Sequence, residues 1–307
     1  MDFSLRCRLG ALLLLMLSVL LVWWPMVGWA DHWPPGSGLV AMVAPWLGGS
    51  STESVSLLTV AFLDVGQGDA IFIETPDGVQ MLVDGGPDTS VLRGLGDVLA
   101  VGDHTLDVVL ATHSDLDHIG GLVDVLVRYE VDAVITTEQR NDTAVSLALD
   151  AAIADERTIV HMARAGDVIT LGASTTFTVL SPTGDPTNWE SNNASIVGIL
   201  RYGDIEFLLT GDAGIGIEEY LVATHGTALA SEVLKLGHHG SRTSSAPIFL
   251  ETVAPDFAVV SAGRDNRYDH PHTEVVAGAE AVGATVVSTV QEGTIVFISD
   301  GETVWRK

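Results

Sequence analysis

With 307 residues and 47% apolar content, the chain can enclose a sizeable core, which excludes a wholly disordered protein. It carries 40 acidic against 14 basic side chains, a net charge of −26, so its average field repels nucleic acid and anionic membranes. An anionic substrate must therefore be held by local positive charge, from bound metals or a few arginines.

Residues 1–30 start with Arg6 and Arg8, continue through an apolar run at 11–24, and end on Pro25 and the small-x-small sequence Gly28-Trp29-Ala30. This is the layout of a secretory signal. The run at 11–24 is shorter than the roughly 20 residues that span a bilayer, although with 26–30 included it would serve as an uncleaved anchor. The chain is thus expected to be secreted or extracytoplasmic, with membrane anchoring by residues 11–30 as the rival to cleavage. The only cysteine, Cys7, precedes the apolar run, so cleavage after Ala30 would leave no disulfide and no thiolate chemistry. Residues 31–56 read as a linker, with an apolar patch at 39–47 that is too short to span.

From 57 to 307 patterned segments follow one another without a second linker, predicting one domain. Strands are expected at 57–64, 70–74 and 79–83, the last two joined by the hairpin signal Pro76-Asp77-Gly78. Helix 89–100, strand 108–112, helix 121–129, strand 133–136 and helix 143–155 follow. The middle turns to β structure at 176–180, 196–201 and 205–209, with Tyr202-Gly203-Asp204 as a turn. Helix 216–225, strand 232–236, helix 246–253, strand 257–261, helix 273–281 and strands 284–288 and 294–298 complete the pattern. Two β-rich halves, each followed by strand–helix units, predict two mixed sheets face to face with helices outside. That is an α+β fold, a four-layer αββα sandwich.

The run Thr112-His113-Ser114-Asp115-Leu116-Asp117-His118-Ile119-Gly120-Gly121 follows the apolar stretch 107–111 and reads as a loop at the carboxyl end of a strand. One such polar residue would be a solvated turn. Two imidazoles and two carboxylates within six positions point instead to metal. Asp212, after the strand at 205–209 and Gly211, is placed to bridge two cations, a role compatible with capping the next helix. His238 and His239 open another strand end. If that segment is extended, successive side chains point opposite ways, so one binds metal while the other orients substrate or donates a proton. Asp84 either hydrogen-bonds the ligand loop from behind or simply shapes a turn. His270 and His272 flank Pro271 on a loop that nothing in the sequence anchors to the other sites. The donor types favour two divalent cations close together, manganese as well as zinc, sharing a hydroxide suited to hydrolysis.

Several motifs carry a family resemblance: Leu63-Asp64-Val65-Gly66-Gln67-Gly68-Asp69-Ala70, Leu82-Val83-Asp84-Gly85-Gly86, the His113 run, and Ser191-Asn192-Asn193-Ala194-Ser195-Ile196-Val197. Leu208-Leu209-Thr210-Gly211-Asp212-Ala213, Leu236-Gly237-His238-His239-Gly240-Ser241 and Asn266-Arg267-Tyr268-Asp269-His270-Pro271-His272 complete the set. In this order they resemble the metallo-β-lactamase-fold superfamily, and more narrowly the hydrolase domain of ComEC-type DNA-internalisation competence proteins. The resemblance implies that His113 and Asp115 serve one metal, that Asp117, His118 and His239 serve the other, and that Asp212 bridges them. It implies support of the ligand loop by Asp84, with Asp64, Gln67 and Gly68 nearby. Asp115 stands where the superfamily has histidine, which argues against a β-lactamase. The superfamily's middle histidine ligand is also missing, with Asn192, Asn193 and Ser195 in that region, so that one metal is completed by water or held less tightly.

The function expected is an exported or anchored metal-dependent phosphodiesterase, a candidate nuclease for single-stranded DNA. Asp117 and His238 or His272 would assist the chemistry, His270 would contact substrate, and Arg242, Arg264 and Arg267 would clamp phosphate. ComEC proteins carry this domain beside a multi-span channel, so a separate membrane DNA-uptake channel is the expected partner. The rivals are hydrolysis of an amide, ester or thioester on the same fold, and a non-catalytic DNA-uptake accessory module.

Overall fold

The computed structural model describes residues 39–40, 57–155 and 158–307, so the leader expected over 1–30 and nearly all of the linker expected over 31–56 lie outside the described residues. In chain order the first elements are β1 (Leu39–Val40), β2 (Leu58–Phe62), β3 (Ile71–Glu74), β4 (Gln80–Val83), α1 (Ser90–Val98), β5 (Thr105–Leu110), α2 (Leu116–Ile119), α3 (Leu122–Arg128), β6 (Glu130–Thr136), α4 (Ala144–Asp155) and β7 (Ile159–Met162). The second series is β8 (Val168–Leu171), β9 (Thr175–Ser181), β10 (Val197–Tyr202), β11 (Ile205–Leu209), α5 (Ile215–His225), β12 (Val233–Lys235), α6 (Pro247–Val253), β13 (Phe257–Val260), α7 (Thr273–Ala281) and β14 (Thr285–Ser288). Helix α8 (Thr289–Glu292) and strands β15 (Ile295–Ser299) and β16 (Val304–Arg306) follow.

These strands form two eight-stranded sheets, in the orders β16-β15-β2-β3-β4-β5-β6-β7 and β1-β8-β9-β10-β11-β12-β13-β14. Connections without a long helix keep β2, β3 and β4 antiparallel, and likewise β8 to β11. Parallel pairing then takes over at β4–β5 and at β11–β12, because each later connection carries a helix long enough to return the chain to the same end. The carboxyl ends of β4 and β5 therefore share one edge of the first sheet, and those of β11, β12 and β13 share one edge of the second.

Period-two alternation decides which side chains meet. Leu58, Val60 and Phe62 of β2 enter the layer between the sheets, where they join Phe177, Leu200 and Phe207 from the other sheet. Phe297 of β15 ties this layer together, with ring centroids 5.9 Å from Phe62 and 6.1 Å from Phe207. Ala61, Phe72, Leu82 and Val109 face the opposite way and pack under α1, α3 and α4 through Leu95, Leu122 and Leu149. On the second sheet Leu208, Leu234 and Ala258 pack under α5, α6 and α7 through Leu221, Phe249 and Val275. The result is the αββα sandwich expected from the order of elements. Each fully buried large side chain contributes about 1.5–3 kcal/mol to it.

Strands β7, β8 and β16 and helix α2 are not marked by the sequence pattern. Strand β7 lies at a sheet edge with Ile159, Val160 and Met162 exposed, so no apolar alternation announces it. Among the described residues, no helix is long and apolar enough to cross a membrane.

Candidate metal centre

Beyond β5 the ligand-rich run does not remain an open loop. Asp115 accepts the backbone N–H groups of His118 and Ile119 at 3.0 Å each, winding Leu116–Ile119 into one helical turn. Behind this turn stands Asp84, fully buried at the end of β4. Its carboxylate accepts the backbone N–H of Thr112 at 2.8 Å and the Thr112 hydroxyl at 2.7 Å. Its Oδ2 also lies 2.7 Å from Nδ1 of His118. The loop after β2 presses against the same turn, since the N–H of Asp69 donates to the carbonyl of Asp117 at 3.2 Å. A Cβ on Gly68 would stand 2.1 Å from that carbonyl oxygen, and its φ of +140° also favours glycine.

Three imidazoles are locked by the same logic. The Thr112 hydroxyl gives its proton to Asp84, leaving its oxygen to accept from Nδ1 of His113 at 3.0 Å, with Ser195 Oγ 3.3 Å from the same nitrogen. His118 is bound through Nδ1 to Asp84, and His239 through Nδ1 to the carbonyl of Ser261 at 3.0 Å. Each ring thus turns Nε2 inward. All three Nε2 atoms are buried without a hydrogen-bond partner among the described residues, as is Oδ1 of Asp212. Such orphans are rare in folded proteins, and a cluster of them calls for a cation.

Asp212 stands at the centre, its backbone N–H fixed by Ser195 Oγ at 3.1 Å. Oδ1 lies 3.3 Å from Nε2 of His118, while Oδ2 lies 3.5 Å from Nε2 of His239 and 3.8 Å from Nε2 of His238. Asp117 Oδ2 is 3.3 Å from Nε2 of His239, and Asp115 Oδ2 is 3.8 Å from Nε2 of His113. One atom each from Asp69, His118, Asp212 and His239 falls within 4.8 Å of the others. Asp69 is the member that sequence reasoning missed. Its Oδ2 is 2.8 Å from Nζ of Lys235, a lysine buried at the carboxyl end of β12, and its Oδ1 is 3.2 Å from Nδ1 of His239. With one oxygen on Lys235, Asp69 sets its negative charge behind His239, whose Nδ1 is held by the Ser261 carbonyl. The sequence signals were an aspartate between a glycine and a buried strand, and a lone lysine in an apolar strand.

The profile of the metallo-beta-lactamase superfamily matches residues 63–264, which include the whole His113–His118 run, Asp212 and both tandem histidines. The chain belongs to the metallo-beta-lactamase superfamily. It is 30% identical over 261 residues to ComE operon protein 3 of Bacillus subtilis, covering 78% of this chain and 32% of that protein. It is 30% identical over 240 residues to Recombination protein 2 of Haemophilus influenzae, covering 76% and 28% respectively. The chain thus spans about a third of the length of these two relatives. The metallo-beta-lactamase fold protein YhfI from Bacillus subtilis superposes with a TM-score of 0.54 at 13% identity, covering 79% of this chain and 99% of that one, a likeness of fold.

The superfamily fold implies divalent metal ions, and the nitrogen and carboxylate donors gathered here fit them. Electrostatics point the same way. Burial opposes a charge on His239, but Asp212 and Asp69 outweigh it and raise the imidazole to about 9. Burial likewise opposes His118, yet Asp212 and Asp84 carry it well above its ordinary value. Burial and the neighbouring His118 both push His113 down. For Asp212, burial is overcome by His239 and His118, which hold the carboxylate well below its usual range. A cation entering this centre takes the place of protons that would otherwise neutralise the carboxylates.

The other residues expected at the superfamily site divide into those the fold brings in and those it does not. His238 and His239 are not on an extended segment. Both adopt left-handed backbone, φ 48° and 56°, so neither points away from Asp212 as simple alternation would require. His238 is the more exposed, with Nδ1 3.1 Å from Thr243 Oγ1 and 3.4 Å from Asn192 Nδ2. His270 packs beside it at 5.5 Å between ring centroids, and burial followed by the nearby His238 lowers it to about 4. Asn266 fixes that loop by accepting the N–H of His270 at 3.0 Å and donating to its carbonyl at 2.6 Å. Gln67 accepts the N–H of Gly263 at 3.1 Å, tying the first loop to the last. Asp64 caps its own turn at Gly66.

Four expectations are redirected. Asn193 lines a separate shallow pocket with Trp189 and Ile217. His272 accepts the backbone N–H of Arg242 at 3.2 Å and contacts His270, with no contact to Asp212. Arg242 is exposed and paired with Glu274 at 3.3 Å, because the start of α7 lies beside it. Arg264 donates to the carbonyl of Val290. Arg267 lines a cavity with Asp117.

Proposed function

We propose that this chain is a metal-dependent phosphodiesterase acting on DNA, built around two divalent cations, manganese or zinc, in the service of DNA uptake. The observation that carries the reading is the convergence of the partnerless Nε2 atoms of His118 and His239 on the Asp212 carboxylate, with the partnerless Nε2 of His113 beside Asp115. His113, Asp115 and Asp212 would hold one cation, and Asp117, His118, His239 and Asp212 the other. The name of one relative, Recombination protein 2, favours a nucleic-acid substrate. Bound cations activate water near neutral pH and offset charge developing on a phosphoryl group.

The chain's own residues supply the rest. Asp84 and the Ser261 carbonyl keep His118 and His239 in one orientation, so the donors need no rearrangement when substrate arrives. Arg267 brings positive charge to a cavity in an otherwise acidic chain. His238, half-open and 3.8 Å from Asp212, is placed to give a proton to the departing oxygen. The leader-like pattern of residues 1–30 supports work outside the cytoplasm, released or anchored through 11–30, beside a separate membrane channel.

The test is turnover of a single-stranded oligonucleotide by chain loaded in turn with manganese and zinc, in parallel with an ester, an amide and a thioester. Oligonucleotide cleavage that Asp117→Ala abolishes supports the proposal. Turnover of the carbonyl substrates alone, or cleavage that survives Asp117→Ala, overturns it.

A further inference from the structure

Beside Asp117 opens a cavity of about 390 Å³, a size within the range of small-ligand sites. Asp117 and Gln67 line it together with the apolar Pro87 and Leu116 and with Arg267 and Tyr268. Leu116 is 57% exposed at the start of α2, directly beside two candidate ligands, and Tyr268 is 45% exposed. Two apolar side chains kept open to solvent at the rim of a charged centre do nothing for the core. The guanidinium of Arg267 lies 4.7 Å from the centroid of the Tyr268 ring, and that ring stacks on His270 at 22° and 5.5 Å. Among the described residues Arg267 is the only cation lining the cavity, and it presents a flat, delocalised surface rather than a point charge.

We propose that this cavity is a nucleobase subsite, in which a base adjoining the reacting phosphate packs against the apolar Leu116 and Pro87 and against the Arg267–Tyr268 pair. The proposal rests on the phosphodiesterase reading of the same centre and adds the part of the substrate it grips. Apolar contact and a guanidinium backed by an aromatic ring suit a flat π-system of any sequence. The same guanidinium offers edge hydrogen bonds to the neighbouring phosphate, which answers the charge of an anionic strand where the chain as a whole repels it. A base seated there has left its helical stack, so an unpaired strand or a frayed end fits and an intact duplex does not.

Calorimetric titration of the manganese-loaded chain with thymidine 5′-phosphate and with deoxyribose 5-phosphate isolates the base. The nucleotide is expected to bind on the order of tenfold more tightly, the scale of one base–aromatic contact. Leu116→Ala and Tyr268→Ala should each bring it towards the sugar phosphate, while Tyr268→Phe, which keeps the ring, retains the preference. Both positions are surface-exposed, so the variants keep the fold. Equal or undetectable binding of the two ligands overturns the proposal, as does a preference that survives both alanine substitutions. The two readings fail separately: absence of oligonucleotide turnover counts against the phosphodiesterase, whereas the binding comparison needs no turnover.

Discussion

Asp84 holds His118 from behind, with 2.7 Å between Oδ2 and Nδ1, so that the opposite nitrogen faces Asp212 at 3.3 Å. The same carboxylate anchors Thr112, whose hydroxyl in turn sets His113. One buried side chain thereby aims two imidazoles. Asp84→Asn is expected to keep the fold and weaken divalent-cation affinity by about 10–100-fold, the usual effect of losing a carboxylate behind a ligating histidine. Competition with a chromophoric chelator measures it, and unchanged affinity would mean that His118 needs no support.

The pair Lys235–Asp69 predicts a stability effect separate from metal. Removing one partner of a buried ion pair strands the other charge, so Lys235→Met should destabilise the metal-free chain by about 3–5 kcal/mol. Adding Asp69→Asn should recover part of that loss. Urea unfolding of both single variants and the double variant reads the coupling, and strict additivity would show that the two groups do not interact.

The raised imidazoles predict a pH dependence with a definite sign. His239 binds its proton more tightly folded than unfolded, so in the metal-free chain its contribution is fully present below about 6.5 and is lost as pH rises towards 9. A bound cation competes for the same nitrogen, so metal binding strengthens over that interval. The gap in Tm between cation-loaded and chelator-treated protein should therefore widen from pH 6 to pH 9. A gap that narrows with pH would contradict the assignment of His239.

Much of this architecture is legible in the sequence, for reasons that are local. Apolar runs mark β2 and β15, and the cluster His113–His118 carries four donors in six positions. What is not legible depends on distant pairing or on backbone conformation. Asp69 reads as a turn residue until β3 and β12 bring it against Lys235, 166 positions away. Tandem histidines look alternating until two consecutive left-handed residues swing both rings towards Asp212. Arg242 and Arg267 look alike as phosphate clamps, and only the fold assigns one to Glu274 and the other to the cavity.

Gly68 is a point where backbone geometry alone is decisive. A methyl group there meets the Asp117 carbonyl at 2.1 Å, and that carbonyl belongs to the turn carrying two donors. Gly68→Ala is expected to cost about 2 kcal/mol or more and to weaken cation binding along with stability. Thermal unfolding with and without cation checks both effects, and a variant indistinguishable from the parent would show that the first loop does not press on the ligand turn.

The most direct measurement is the number of divalent cations held per chain, by equilibrium dialysis against manganese and zinc with elemental analysis, for the parent and for Asp212→Ala. Two per chain in the parent, falling to one or none in the variant, is the predicted result. A parent that retains none, or a variant that keeps both, would contradict a centre bridged by Asp212.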